Sequence, residues 1–503
     1  MSVTEPVPER TGGRRVPGFI RRPLRWILDA ALVGGAVLAT VAVGSGLKSL
    51  RQPDLKPWHR VHLRHEFKAV DLAGTANLGD YLKREDRLFA ELQEKIVRPL
   101  GPEDRLSWNR YFAGNAPRQA ALDPGRDWNR TNELLPEGPV KGGVLLLHGL
   151  SDSPYTVRHL AEIYRRAGYY ALALRIPGHG TIPAALLDVG WKDWRAAVKV
   201  GARHVRRKVG PGLPFHIVGY SNGGALALQY AMESAEGSGE SPPDRLVLLS
   251  PMIGVSPFAR LAPVVGWMGR FQPFEKARWL DVVPEYIPYK YTSFPVRAGH
   301  ESFRLTKIIQ GQVERLEKKG LLGKLPPILC FMSVVDATVS TSAVVQSLYA
   351  RLPAGRGDEL VVFDLNTSSE IGPFIKSSEH DRLMDALDGP PRNFSLSVVM
   401  NGRAGTRDVV ERSFGPGSVR EAVRSLGLSW PAQVYSLSHL ALPVAPDDPL
   451  YGLGRGIGGV TPRGERGVLI VPVEQFLRLY CNPFFPCVQE KLLACIEAPA
   501  PRT

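Results

Sequence analysis

The sequence predicts an α/β protein with a mostly parallel central sheet flanked by helices, an inserted cap and an N-terminal membrane-spanning helix. Three observations carry this reading. Short continuous apolar runs alternate with stretches of helical periodicity from about residue 140 onward. That alternation breaks after residues 250–251 and resumes near residue 328. A basic flank precedes an uncharged apolar stretch close to the N-terminus. Strands buried on both faces read as unbroken apolar runs, and their alternation with helices makes a parallel sheet covered on both sides.

The elements follow in order. Residues 1–23 are rich in Pro, Gly and Arg and are expected to be disordered. Arg14, Arg15, Arg21, Arg22 and Arg25 precede an apolar segment, and residues 30–47 carry no charge. A run of this kind is near the length of about 17–20 residues that spans a bilayer. Residues 24–47 are therefore expected to be a transmembrane anchor, with a cleaved signal peptide as the rival reading. Arginines before the span put the N-terminus in the cytoplasm. The remainder is then expected to be periplasmic or extracellular, on a bacterial inner membrane.

Residues 48–139 are expected to be a linker and an N-terminal extension. His59, His62 and His65 recur there every third residue, but no carboxylate or cysteine stands at ligand-like spacing, so a solvated or membrane-proximal segment is the expectation and no metal is assigned. Residues 77–98 read as a helix.

Residues 140–251 are expected to form the first part of the core. Strands are expected at 143–147, 170–174, 215–218 and 246–249. One helix carries Val157, Leu160, Ala161 and Tyr164 on a face, and another carries Trp191, Trp194, Val198, Ala202 and Val205. Residues 252–322 are expected to be the cap, with aromatics such as Trp279, Tyr286, Tyr289 and Tyr291 suited to an apolar pocket. Residues 323–503 form the second part of the core, with strands expected at 328–332, 360–363, 394–399 and 434–437 and an insertion at 364–430.

Composition excludes some classes. The chain has 503 residues, of which 44% are hydrophobic and 22% charged. It can bury a large core and needs no disulfide or metal to fold. The net charge is +14, yet the basic residues are scattered and no nucleic-acid-binding motif accompanies them, so no nucleic-acid partner is expected. Cys481, Cys487 and Cys495 follow no usual zinc spacing, and one disulfide with a leftover thiol is open outside the cytosol.

The chemistry is carried by Gly219-Tyr220-Ser221-Asn222-Gly223, which fits G-x-S-x-G between a buried strand and a helix. A nucleophile on a sharp strand-to-helix turn needs small neighbours so that strand and helix can approach. The alternative for Ser221 is a helix cap. His148-Gly149-Leu150 closes an earlier strand. The backbone N–H groups of Leu150 and Asn222 are expected to form an oxyanion hole.

The stretch HGLSDSPYTVRHLAEIYRRAGYYALALRIPGHGT, with residues 219–224 and Asp336, resembles the α/β-hydrolase superfamily in its monoacylglycerol-lipase-like and carboxylesterase-like branch. The resemblance covers roughly residues 140–350. It implies the α/β-hydrolase fold, a Ser–Asp–His triad in that chain order and ester hydrolysis with no cofactor. Asp336 stands where the family places its acid. The family's histidine normally follows the next strand, but Asp364-Leu365-Asn366-Thr367 contains none. His380 and His439 remain downstream. His439 is favoured, because it follows the strand-like run 434–437. A small-molecule or lipid ester and the membrane are the expected partners. An acyltransferase using the same triad and a non-catalytic membrane-bound scaffold or lipid-binding module are the alternatives.

Overall fold

The computed structural model describes residues 52–74, 77–115, 125–254, 275–336, 338–339, 341–375, 381, 385, 392–403, 405–455, 471 and 473–498. In chain order the elements begin with α1 (Pro57–Arg60), α2 (Leu78–Leu92), β1 (Asn132–Leu134), β2 (Gly142–Leu147), α3 (Arg158–Arg166), β3 (Tyr169–Leu174) and α4 (Trp191–Val209). There follow β4 (Phe215–Tyr220), α5 (Asn222–Ala235), β5 (Arg245–Leu249), β6 (Trp279–Asp281), β7 (Phe294–Pro295) and α6 (Val296–Lys318). The last part holds β8 (Ile328–Ser333), α7 (Thr341–Ser347), β9 (Glu359–Phe363), β10 (Ser395–Asn401), β11 (Asp408–Phe414), β12 (Glu421–Ser429), α8 (Val473–Leu477) and α9 (Phe485–Glu497).

Among the described residues the main sheet has ten strands in the order β1-β3-β2-β4-β5-β8-β9-β10-β11-β12. Every pairing from β3 to β10 is parallel, while β1 pairs antiparallel with β3, and β11 and β12 close the far side as an antiparallel hairpin. The parallel strands are wholly buried apart from the ends of β5, β9 and β10. Leu145 and Leu147 of β2 face Trp194, Val198 and Val205 of α4. Val144 and Leu146 face Tyr155, Leu160 and Tyr164 on the other side. Burying such a side chain fully contributes about 1.5–3 kcal/mol, so both faces must be covered for the sheet to hold. The strand-and-helix order is that of the α/β-hydrolase fold.

The structure differs from the sequence expectation in three places. Residues 434–437 are not a strand, so His439 does not follow one. Their carbonyls are taken by the loop beside β9 and by a side chain: Asn366 Nδ2 donates to Val434 O (2.8 Å), Asn366 N to Tyr435 O (2.9 Å) and Ser333 Oγ to Leu437 O (2.8 Å). Within residues 364–430, expected as an insertion before a last strand, the strand expected at 394–399 is β10, and β11 and β12 extend the sheet beyond it. The 252–322 segment, expected as a cap, also carries the short β6–β7 pair and the long helix α6.

The segment after residue 52 is packed rather than solvated. Leu55, Trp58 and Leu63 join Leu88, Phe89, Ile182, Trp279 and Val282 in one apolar cluster. The three histidines go to three partners. His59 Nε2 lies 3.0 Å from Ser293 Oγ, His62 Nδ1 2.8 Å from Asp188 and His65 Nδ1 3.1 Å from Glu91. Among the described residues no helix is long and apolar enough to cross a membrane, and residues 24–47 lie outside them. Cys330, Cys481, Cys487 and Cys495 are free thiols.

A buried charge knot joins this extension to the core. Arg175, just past β3, donates from Nη2 to Glu66 Oε1 (2.9 Å) and from Nε to Glu85 Oε2 (2.9 Å). All three side chains are at most 3% exposed. Removing one partner of such a cluster strands the others, at a cost of about 3–5 kcal/mol. Arg175→Met is therefore expected to lower stability by about 3–5 kcal/mol, read as an earlier urea midpoint. A shift equivalent to less than about 1 kcal/mol would show that the pairing adds nothing.

Candidate active site

β4 delivers Ser221 to the C-terminal edge of the sheet, and α5 begins at Asn222. The turn is tight because backbone meets backbone. A Cβ on Gly219 would lie 2.4 Å from Gly223 O, and one on Gly223 would lie 2.2 Å from Leu147 O. Ser221 pays for this closeness in its own geometry, with φ 54° and ψ −113°. A non-glycine residue held there carries about 1–3 kcal/mol of strain. Three hydrogen bonds hold it in place: Ser221 N donates to Leu249 O (2.9 Å), and Ser221 O accepts from Met252 N (3.0 Å) and Ala225 N (3.1 Å). Ser221 makes no side-chain cap hydrogen bond to α5, so the hydroxyl is not a helix cap.

Asp336 follows β8. Its Oδ1 accepts from the backbone N–H of Thr338 and of Val339, both at 2.8 Å. Its Oδ2 lies 2.8 Å from His439 Nδ1. Burial pushes this carboxyl up, but His439 and the two backbone N–H groups outweigh burial and hold it below its ordinary value. An ionised carboxylate only accepts, so Nδ1 carries the proton and Nε2 is left as the basic nitrogen. The His439 ring is buried and lies 5.2 Å from the Tyr220 ring.

Ser221 and His439 line one cavity of about 440 Å³ with Leu150, Met252, Phe294 and Leu440. Asp336 stands behind the imidazole. Leu150 thus lines the same cavity as Ser221, and the Asn222 N–H is the first of α5, where a helix leaves its donors free. His148 does another job: its Nε2 accepts from Ile176 N (3.0 Å) and its Nδ1 faces Gly149 O (2.9 Å), which fixes the loop. His380 lies outside the described residues. A groove of about 960 Å³ between α3 and α9 is larger, but it is lined by no serine or cysteine.

Two features of the site went unread in the sequence. Lys290, from the segment before β7, reaches Ser151 Oγ (2.9 Å) and Asp152 Oδ1 (3.0 Å) and so ties the cap to the loop carrying Leu150. Asp448 lies beyond the histidine loop and is buried. It accepts from Tyr155 OH (3.0 Å), Arg158 Nη2 (2.8 Å) and the backbone of Leu450 (2.8 Å) and Tyr451 (2.9 Å), and sits 2.9 Å from His159 Nε2. No local pattern signals either one, since each contact joins segments far apart in the chain.

Comparison with known proteins bears on the family. Residues 138–364 match the family described as serine aminopeptidase, S33. That segment, a little under half of the chain, is similar to the superfamily expected from its motifs. The chain is 37% identical over 94 residues to a thermostable monoacylglycerol lipase of Bacillus sp. (strain H-257), a stretch that is 19% of this chain and 36% of the lipase. The match therefore spans about a third of that relative's length. Among solved structures, the monoacylglycerol lipase of Paleococcus ferrophilus is 18% identical, with 51% of this chain and 97% of that one covered at a TM-score of 0.34. A carboxyl esterase of Bacillus coagulans is 16% identical, with 51% and 91% covered at 0.33. These structural likenesses are loose, and the fold rests on the strand order and the family match.

The Asp448 carboxyl is pushed up by burial, but His159, Arg158 and the Tyr451 N–H outweigh it and hold it well below the ordinary range. A depressed carboxyl stabilises the fold above its unfolded pKa, and that gain fades as pH falls toward the folded value. Asp448→Asn is expected to be markedly less stable than the parent at neutral pH. The gap should shrink as pH falls below about 4, where the unfolded aspartate takes up its proton. Denaturant midpoints measured across pH check this, and a gap independent of pH would refute it.

Proposed function

We propose that the chain is a membrane-anchored serine hydrolase that cleaves carboxylic esters. The observation that carries the reading is the conjunction of a strained Ser221 at a strand-to-helix turn with His439, in the same cavity, paired at 2.8 Å to Asp336.

In this mechanism Ser221 Oγ attacks the ester carbonyl carbon while His439 Nε2 takes the hydroxyl proton. Asp336 orients the ring and stabilises the imidazolium that forms. The N–H groups of Leu150 and Asn222 receive the oxyanion, each donor worth about 3 kcal/mol in the transition state. The intermediate collapses, the C–O bond breaks and His439 returns the proton to the departing alcohol. Water, deprotonated by His439, then releases the acid from the acyl-enzyme and Ser221 regains its proton. The similarity to a monoacylglycerol lipase and the apolar lining by Met252, Phe294 and Leu440 favour a lipid or other apolar acyl ester.

The anchor is residues 24–47, with the arginine-rich N-terminus in the cytoplasm and the catalytic part periplasmic or extracellular. The tether is short, because Gln52 Nε2 already donates to Trp279 O (3.2 Å) of β6.

Ser221→Ala is expected to abolish hydrolysis of short-chain aryl esters with an unchanged circular dichroism spectrum. His439→Ala and Asp336→Asn should each cost about 10⁴-fold in kcat. Full activity in Ser221→Ala would refute the assignment. The full-length protein should also stay with membranes through high salt and alkaline carbonate, since salt screens surface charge but not an inserted helix. Release by carbonate, or a mature N-terminus beyond residue 44, would overturn the anchor.

A further inference from the structure

The cavity holding Ser221 carries three sets of charge. Lys290 is spent on Asp152 at 3.0 Å and on Ser151 at 2.9 Å. His439 is spent on Asp336 at 2.8 Å. Arg478, directly after α8, lines the same cavity, is exposed and has no ion-pair partner among the described residues. The rest of the lining is mainly apolar. Tyr220 belongs to this lining too, and its buried hydroxyl has no hydrogen-bond partner among the described residues. A buried hydroxyl without a partner costs about 1–3 kcal/mol, and a water or a ligand atom in the cavity supplies the missing bond. Arg478 exerts its charge on that hydroxyl. One cation without a counter-charge at an apolar, otherwise neutralised cavity is complementary to an amphiphile with one negative group.

We propose that Arg478 forms an anion subsite at the mouth of the catalytic cavity, so that the preferred ester joins an apolar acyl chain to an alcohol bearing a carboxylate or phosphate. The inference rests on the hydrolase reading and names its substrate class. The planar guanidinium suits either group through paired N–H donors. The acyl chain lies against Met252 and Phe294, and the anion stays at the open side where Arg478 meets solvent.

The test uses the full-length protein in detergent and three esters with one acyl chain: a monoacylglycerol, its 3-phosphate and the matching acyl glycerate. Wild type is expected to favour one or both anionic esters in kcat/KM, and the favoured one identifies the group. In Arg478→Gln the ratio of anionic to neutral kcat/KM should fall about tenfold, the worth of a charge-assisted hydrogen bond. Arg478→Glu should reverse the preference. Arg420→Gln, a charge removed from the exposed β11–β12 connection, should leave the ratio where it was. Raising the salt should narrow the wild-type ratio, because exposed charge is screened. A wild type indifferent to the anion, or a ratio that Arg478→Gln does not move, overturns the inference and leaves the hydrolase intact. Absence of any Ser221-dependent turnover of the three esters and of aryl esters overturns the hydrolase reading, and the inference falls with it.

Discussion

One close backbone approach sets the rest of the site. Gly219, Gly223 and the carbonyl of Leu147 meet where no side chain fits, and a Cβ at either glycine would sit 2.4 Å or less from an oxygen. That contact lets α5 start directly at the end of β4. It forces the intervening Ser221 to φ 54° and turns its side chain out of the sheet. Strand β5 absorbs the strain by accepting the Ser221 N–H, so the serine's position is set by ladder geometry and not by the hydroxyl's own bonds. The cavity opens here because parallel strands all end on one edge.

A second constraint brings the imidazole to that edge. The histidine loop has no strand of its own, so its position depends on side chains from other parts of the fold. Ser333 holds the carbonyl of Leu437 from one side, Asp336 holds Nδ1, and Asp448 pins the following turn to Tyr155 and Arg158. Tyr155 also stacks on Tyr289 at 4.2 Å, which places the cap in the same assembly. The loop bearing Leu150 is tied to the cap by Lys290. Cap, Leu150 loop and histidine loop are thus one mechanical unit around Ser221.

The parallel core was legible because each strand is a local signal: 143–147, 170–174, 246–249, 328–332 and 360–363 are unbroken apolar runs, 215–218 is one interrupted only by His216, and each lies within a strand. Ser221 and His439, to which motif and chain order directed attention, line one cavity, and Asp336 is hydrogen-bonded to His439 from behind. What stayed hidden was set by distance in the chain. β12 is exposed at seven of its nine positions and β11 buries only Val409 and Glu411, so their sequence lacks a core signal. Residues 434–437 have strand composition, but the carbonyls of Val434 and Leu437 serve Asn366 and Ser333 instead of a ladder. Arg175 with Glu66 and Glu85, and Asp448 with Arg158, are pairs whose members look like surface charges until the fold buries them.

The position of His439 in the chain has a consequence for biosynthesis. Asp336 and its imidazole partner are separated by 103 residues, and the Asp448 pin lies later still. The ribosome therefore releases Ser221, Asp336 and the cap well before His439. A nascent or truncated chain ending before the histidine loop holds the strained Ser221 without the imidazole that the proposed mechanism uses as its base. On that proposal, the capacity to attack an acyl group is completed last, by translation of the segment that carries His439.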